Sequence, residues 1–347
     1  MLRLKTTSRP RETLKPVAMV GWSGAGRFDD LERTTLRKLT STRRAANHIN
    51  GTLLVTAEDP VHVARQLAFL PGVAWISVGY RFGRNKDYLN TLEHLAKGYL
   101  STRKKFKISA QVVGSGQIAG DVVLAGNSAL LSSVPRAKVD ERSPDVRFRV
   151  CIEGTRGACG VEIRAGPGGA PTGGDWVSCL VSGGERSSSL AWMAALSGFS
   201  LRLVHSRTSE AALRHVARLY SELSFRMDPR CVELLVLDGG NNLAGRIGSW
   251  LSESKTTAFA GIRPEPSAAL VEFAKRFPNL VLPLILVQDD AIRAVYRSLR
   301  IGPPTKDGRA SGLTLKSLQA GSAYSEKRFG GVQADSNTVI DAIKRRS

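Results

Sequence analysis

From residue 176 to residue 300 short apolar runs alternate with amphipathic ones, and this rhythm restricts the fold more than any other feature of the chain. The apolar runs are WVSCLV, SLRLVHS, VELLVLDG, TTAFAGI and LVLPLILV. Between them come SLAWMAALSGF, SEAALRHVARLYSELS, LAGRIGSWLSES, SAALVEFAKRF and DAIRAVYRSLR. In the second of these, Leu213, Val216, Ala217, Tyr220 and Leu223 recur at helical spacing. Strands that are apolar along their length need cover on both faces, and strands joined through helices run parallel. The expectation is a doubly wound parallel sheet with ligands taken outside the carboxyl ends of its strands. Those ends hold Ser182-Gly183-Gly184, His205-Ser206, Asp238-Gly239 and Gly261.

LVSGGERSSS, from Leu180 to Ser189, stands where the first strand turns into a helix. Amides of Gly183 and Gly184, with the positive end of that helix, suit a phosphate; a plain Gly-Gly turn fits equally well. It is not a Walker A loop, because no GKS or GKT follows. His205 is the one histidine placed at this edge, where a packed imidazole is the common alternative. Neither Ser/His/Asp nor Cys/His pairing is supported by spacing.

Upstream lie two smaller α+β units. The first reads as helix DDLERTTLRKLTS, strand GTLLVTAE, helix PVHVARQLAFL opened by Asp59-Pro60, and strand VAWISVGYRF. The second begins with helix NKDYLNTLEHLAKGYLS, in which Leu89, Leu92, Leu95 and Leu100 share a face. Strand KFKISAQVVG follows, then IAGDVVLAGNSALLSS, a helix with a possible break at Gly126. A hairpin of DVRFRVCIEG and ACGVEIRAG and the loop GPGGAPTGG complete it. Beyond Gly302 periodicity fades, predicting a loose basic tail that ends in a short helix at TVIDAIKRR. The expected divisions are residues 1–83, 84–173, 174–302 and 303–347.

Fifty Lys and Arg against 30 Asp and Glu give a net charge of +20. Such an excess favours polyanions, because neutralised phosphates release counterions. Its spread over STRRAANH, STRKKFK, RFRV and IKRR suits a broad RNA-binding face. Arg103, Lys104, Lys105, Phe106 and Lys107 combine charge with a ring, for phosphate contact and base stacking; a solvated strand edge is the alternative. Cys151, Cys159, Cys179 and Cys231 include no CxxC pair, and the five histidines show no ligand spacing, so no metal site is expected. Cys151 and Cys159 are expected in adjacent strands. No apolar run is long enough to span a bilayer and no secretory signal is visible, so a cytoplasmic protein without a membrane partner is expected.

Three segments then align with a known pattern. Lys138 to Asp140 (KVD), Ser143 to Val150 (SPDVRFRV) and Gly166 to Gly173 (GPGGAPTG) match K-V-D, N-P-D and G-x-G-G-x-P-x-G, in order. LVSGGERSSS matches L-L-S-G-G-x-D-S-P, and LPLILVQDDAIRAVYRSLRIG resembles R-P-L-I-G-x-D-K-x-E-I with its helix. Over residues 25–302 the chain resembles the ThiI-type tRNA sulfurtransferases, the 4-thiouridine synthetases, in their form without a rhodanese domain. The resemblance implies an α/β and α+β multidomain protein: a ferredoxin-like N-terminal domain (1–83), a THUMP RNA-binding domain (84–173) and a PP-loop ATP-pyrophosphatase domain (174–302).

It also implies docking on the tRNA acceptor stem and 3′ end, adenylation of uridine by ATP with Mg²⁺, displacement of AMP by persulfide sulfur, and a homodimer. Ser182, Gly183, Gly184 and Ser187 would hold phosphate, with Val181, His205, Ser206 and Gly261 along the nucleotide. The chain departs from the family at the loop aspartate, which is Arg186, and at the D-K lysine, which is Asp290. A family glycine is Val287, the G-E-S-L-G-Q stretch is GIRPEPSAALVE, and no cysteine follows Cys231. An arginine meets phosphate but gives Mg²⁺ no carboxylate. The expectation is a tRNA-binding protein with an eroded PP-loop. The alternatives are an active sulfurtransferase with a sulfur-donor partner, or a non-catalytic THUMP subunit of another tRNA-modifying enzyme.

Overall fold

The computed structural model describes residues 14–39, 46–49, 51–84, 87–100, 104–239, 242–262, 275–284, 287–304 and 323–345. The chain divides into two units, Met1–Pro171 and Thr172–Ser347. Among the described residues no helix is long and apolar enough to cross a membrane.

The first unit opens with β1 (Lys15–Trp22), α1 (Phe28–Lys38), β2 (Ala46–Ile49), β3 (Thr52–Thr56), α2 (Pro60–Leu67) and β4 (Val73–Phe82). α2 starts where the sequence places it: Pro60 takes a position needing no N–H, and the Asp59 carboxylate accepts from the His62 amide at 2.9 Å. Then come α3 (Asp87–Tyr99), β5 (Lys105–Val113), α4 (Ala119–Ser133), β6 (Lys138–Val139), β7 (Val146–Glu153) and β8 (Arg156–Ala165). All eight strands join one sheet in the order β2-β3-β1-β4-β8-β7-β5-β6. Neighbours are antiparallel except β5, which runs parallel to β6 and β7.

Within the first four strands, β1 lies between β3 and β4, and β3 between β1 and β2, so each strand-helix-strand step is split by a strand of the other. α1 and α2 cover a core containing Val20, Leu31, Leu53, Leu67 and Ile76. α3 and α4 cover another, with Leu92, Leu95, Phe106, Leu130 and Phe148. β4 pairs with β8, so the sheet continues across residue 83. α4 passes through Gly126 unbroken: the bare Cα lets the helix settle on Ile108, whose Cδ1 would lie 2.8 Å from an added Cβ. Cys151 and Cys159 do lie in adjacent strands, and both thiols are free and buried. The loop after β8 is ordered against the β4 end, with Gly168 donating to Val73 O and accepting from Gly72 N, both at 2.8 Å.

The second unit contains β9 (Trp176–Leu180), α5 (Glu185–Leu196), β10 (Ser200–Ser206), α6 (Glu210–Arg226), β11 (Val232–Asp238), α7 (Leu243–Glu253), β12 (Ala258–Ala260), β13 (Leu280–Val281) and α8 (Asp289–Leu299). β14 (Ser325–Gly330) and α9 (Ser336–Arg345) end it. The sheet order is β13-β12-β9-β10-β11-β14, parallel except for β14. Side chains of α5, α6, α8 and α9 share one core with Cys179, Leu203 and Leu234. α7 packs Ile247, Trp250 and Leu251 with Leu180, Val204 and Leu235 in another. The chain steps from β9 to β10 and β11, then returns to β12 on the other side of β9. The strand order therefore reverses between β9 and β12, the place where open parallel sheets take ligands.

Two expectations change. Among the described residues LVLPLILV pairs only at Leu280–Val281: Pro283 has no N–H to give a ladder. The helix expected at SAALVEFAKRF falls largely on residues 263–274, outside the described residues. The tail expected to be loose supplies β14, which pairs with β11 from Glu233 to Asp238, while its expected closing helix is α9, which buries Val339, Ile340 and Ile343. Without β14 the apolar strand β11 would be an open edge. Six polar-looking residues, SEKRFG, were too short a run for their alternation to register.

Candidate functional site

The switch point between β9 and β12 is formed by the loop expected to cradle phosphate. Gly183 has φ +85°, a left-handed conformation that favours glycine, and Gly184 begins α5 in extended conformation. Ser187 Oγ donates to Gly184 O at 3.2 Å and accepts from Ser182 N at 3.3 Å, so the turn is braced from within. The amides of Gly183 and Gly184 donate to no other described residue. Gly261 ends the neighbouring strand flush against the start of α5: an added Cβ would lie 3.0 Å from Arg186 C and from Ser187 N. Ser182, Gly183, Gly184, Ser187 and Gly261 are thus brought together, and Gly261 is there for close backbone approach.

Arg186 turns away along the sheet end. Its Nη1 donates to Asp289 Oδ1 at 2.6 Å and its Nη2 to Leu284 O at 2.7 Å, tying α5 to the turn before α8. Its side chain is only 15% exposed, and its Nε has no hydrogen-bond partner among the described residues. Glu185 adds a carboxylate to the first turn of α5, where the helix dipole favours it.

His205 sits beside the loop, 1% exposed, with Nδ1 2.9 Å from Val181 O. Burial lowers its pKa to about 4 despite that bond, so the ring is neutral at physiological pH. A carbonyl only accepts, so Nδ1 bears the proton and Nε2 is a lone-pair acceptor, buried and without a partner among the described residues. Val181, by contrast, faces the apolar core.

Ser206 is taken by Arg246, a residue the sequence reading passed over. Arg246 is 3% exposed; its Nε donates to Ser206 Oγ at 2.9 Å and its Nη2 to Arg207 O at 2.8 Å, while Nη1 donates to Gly239 O. One guanidinium thus clamps the ends of β10 and β11. The available signal was an arginine inside an otherwise apolar helix, LAGRIGSWL. Asp238, at the end of β11, accepts from Lys327 at 3.2 Å and Arg207 at 3.3 Å. The strand ends therefore carry Arg186, Arg207, Arg246 and Lys327 together with Asp238, Asp289, Glu185 and Glu210, four cations against four carboxylates.

The loop amides at the start of α5 suit an anion, and the side chain at position 186 does not suit Mg²⁺. Position 186 offers a guanidinium, and the carboxylate nearest it already holds that guanidinium. Among the described residues no group of three His, Cys, Asp or Glu side chains is placed to hold a metal ion. The thiols are not primed either: burial raises Cys151 to about 11, Cys179 to about 12 and Cys159 well above its usual value, and Cys231 is buried.

In the first unit, the RKKFK segment divides. Arg103 lies outside the described residues. Phe106 is fully buried, edge-on to Phe148 with centroids 6.3 Å apart, so it is not a stacking platform. Strand alternation explains it: Lys105 and Lys107 point to one side and Phe106 to the core. Lys105 pairs with Asp140 at 2.9 Å and Lys107 with Glu141 at 2.7 Å, while Lys104 is exposed. The KVD and SPD segments fix this corner. Asp140 accepts from the Ser143 and Arg142 amides at 2.8 and 3.0 Å, and Asp145 accepts from the Lys105 amide at 2.9 Å. The Ser143 amide, then Lys105, hold Asp140 down at a pKa of about 2. Exposed Arg136, Lys138 and Arg142 lie on the same clamped segment.

By sequence, no family model and no curated protein matches the chain. Its fold is shared with solved structures at low identity. PH1313 from Pyrococcus horikoshii Ot3 is 19% identical with a TM-score of 0.62, over 82% of this chain and 99% of that one. A 4-thiouridine synthetase, solved in complex with RNA and with bound ATP, is 16% identical with a TM-score of 0.64, over 83% of this chain and 85% of that one. At these identities the likeness is one of fold, and it extends over both units.

Proposed function

We propose that this chain is a tRNA-binding protein of the ThiI-like, THUMP plus PP-loop type, acting in tRNA modification, with a nucleotide loop altered by Arg186. The observation that carries the reading is the fold shared with an RNA-bound 4-thiouridine synthetase over 83% of the chain, and the glycine loop at the sheet's switch point agrees with the motif resemblance. On this reading residues 1–83 are a ferredoxin-like domain, 84–173 a THUMP domain and 174–302 the PP-loop domain, continued by β14 and α9. The split strand order of β1 to β4 supports the first assignment. The acceptor end of tRNA is the partner, held through charge and shape with little base readout.

The loop fits a phosphate and not its metal, which favours tRNA binding over autonomous adenylation. Four buried thiols, three of them with raised pKa values, favour a sulfur donor supplied by another molecule. The test is titration of tRNA and of an acceptor-stem minihelix against the purified chain, with Mg·ATP calorimetry on the same protein and on Arg186→Asp. Sub-micromolar tRNA binding retained by the minihelix is expected, with ATP binding absent or weak in the natural chain and stronger in Arg186→Asp. Failure to distinguish tRNA from a generic polyanion such as heparin would sink the reading.

A further inference from the structure

A cavity in the first unit has its own chemistry. It measures ≈ 270 Å³ and lies among α2, the β4–β8 pair and the end of α3, lined by Val61, Arg65, Ala68, Phe69, Val78, Tyr99, Ile163 and Arg164. Val61, Ala68, Val78 and Ile163 make aliphatic walls. Two guanidiniums face it and no carboxylate lines it. Arg164 reaches it because β8 has a bulge: Ile76 pairs with Arg164 and Ser77 with Glu162, leaving Ile163 as the extra residue. A bulge breaks strand alternation and re-aims the next side chain. Ile163 packs into the core under α2, and Arg164 lies over the Phe69 ring with Cζ 4.1 Å from its centroid. Desolvation at the same place raises the pKa of Tyr99.

We infer that this cavity binds a single nucleotide, its phosphate between Arg65 and Arg164 and its base stacked on the outer face of the Arg164 guanidinium. A guanidinium backed by an aromatic ring presents a flat cationic plane, a platform on which bases stack. Arg65 supplies a forked donor for phosphate oxygens. The volume falls just below the roughly 300–1,000 Å³ of sites for drug-sized ligands, so its occupant is no larger than one nucleotide. The nucleotide has two possible sources, a free mononucleotide or one residue of an RNA strand, and the second rests on the RNA-binding reading above.

The experiment uses the full chain and measures 5′-UMP, 5′-AMP, uridine and inorganic phosphate by calorimetry. A labelled single-stranded hexaribonucleotide and whole tRNA are followed by anisotropy. Arg164→Ala, Arg164→Lys and Arg65→Ala are compared, each with an unchanged thermal midpoint. Mononucleotide affinity at least tenfold weaker in both alanine variants, and only partly restored by lysine, establishes the site with a free ligand. The same loss for the hexamer, with weak mononucleotide binding, establishes it with a strand. Inorganic phosphate binding as well as UMP overturns the stacking and with it the proposal. So does affinity for every probe that is indifferent to all three variants, and tRNA binding that persists in that case leaves the RNA reading standing. Arg164-dependent UMP binding without any tRNA binding would do the reverse.

Discussion

Arg186 and Gly261 bear on the loop from two directions, one through its side chain and one by having none. An alanine at 261 would press on the backbone of Arg186 and Ser187 at 3.0 Å, and that backbone is the first turn of a buried helix. Gly261→Ala is expected to lower unfolding free energy by about 1–3 kcal/mol, the usual cost of overpacking, as read by urea denaturation. The histidines make a different prediction. His205 and His215 are both lowered from 6.5 to about 4, chiefly by burial. Above pH 6.5 they are neutral folded or unfolded. As pH falls below 6.5 the unfolded chain takes the protons first, so stability declines until the folded rings titrate near pH 4. The slope is up to about 1.4 kcal/mol per pH unit for each ring. Urea midpoints at pH 7 and pH 5 measure it, and a His205→Gln, His215→Gln double variant should show a smaller difference.

At the level of elements, the final strand and helix give the sharpest test. The Tyr220 hydroxyl donates to Val332 O at 2.8 Å, just beyond β14, and its ring packs edge-on to Phe329 with centroids 5.2 Å apart. Tyr220→Phe should cost about 1 kcal/mol, the worth of one hydrogen bond. A chain ended at residue 322 should lose far more and self-associate through the bared β11 edge, detectable by sedimentation. β14 was not legible in the sequence, because six residues with one buried face resemble a loop. α6 was, since seventeen residues gave its apolar positions time to repeat. Within the site, the Gly183-Gly184 turn and the place of Gly261 could be read from strand ends. Arg246 could not, because an arginine bonded to three backbone or hydroxyl oxygens looks in sequence like a surface residue. Phe106 could have been placed correctly: K-F-K on a strand sets the ring opposite its neighbours.

For the whole molecule, the +20 charge predicts binding that weakens steeply with salt, and the structure sorts which cations contribute. Lys105 and Lys107 already hold carboxylates, whereas Lys104 and Lys138 are exposed at the same corner. Lys104→Ala with Lys138→Ala should weaken tRNA binding and reduce the slope of log K against log salt by about 1–2; Lys107→Ala should change it less. The sheet of the second unit also has a history written into its order. β11 ends at residue 238, yet the strand that covers its edge begins at residue 325. At synthesis rates of about 5–20 residues per second the nascent chain trails an open, apolar edge for on the order of ten seconds before its own last segment arrives. A slow ribosome or a stop codon near the end would therefore act as an assembly defect, turning this protein into a substrate for chaperones before its sheet was closed.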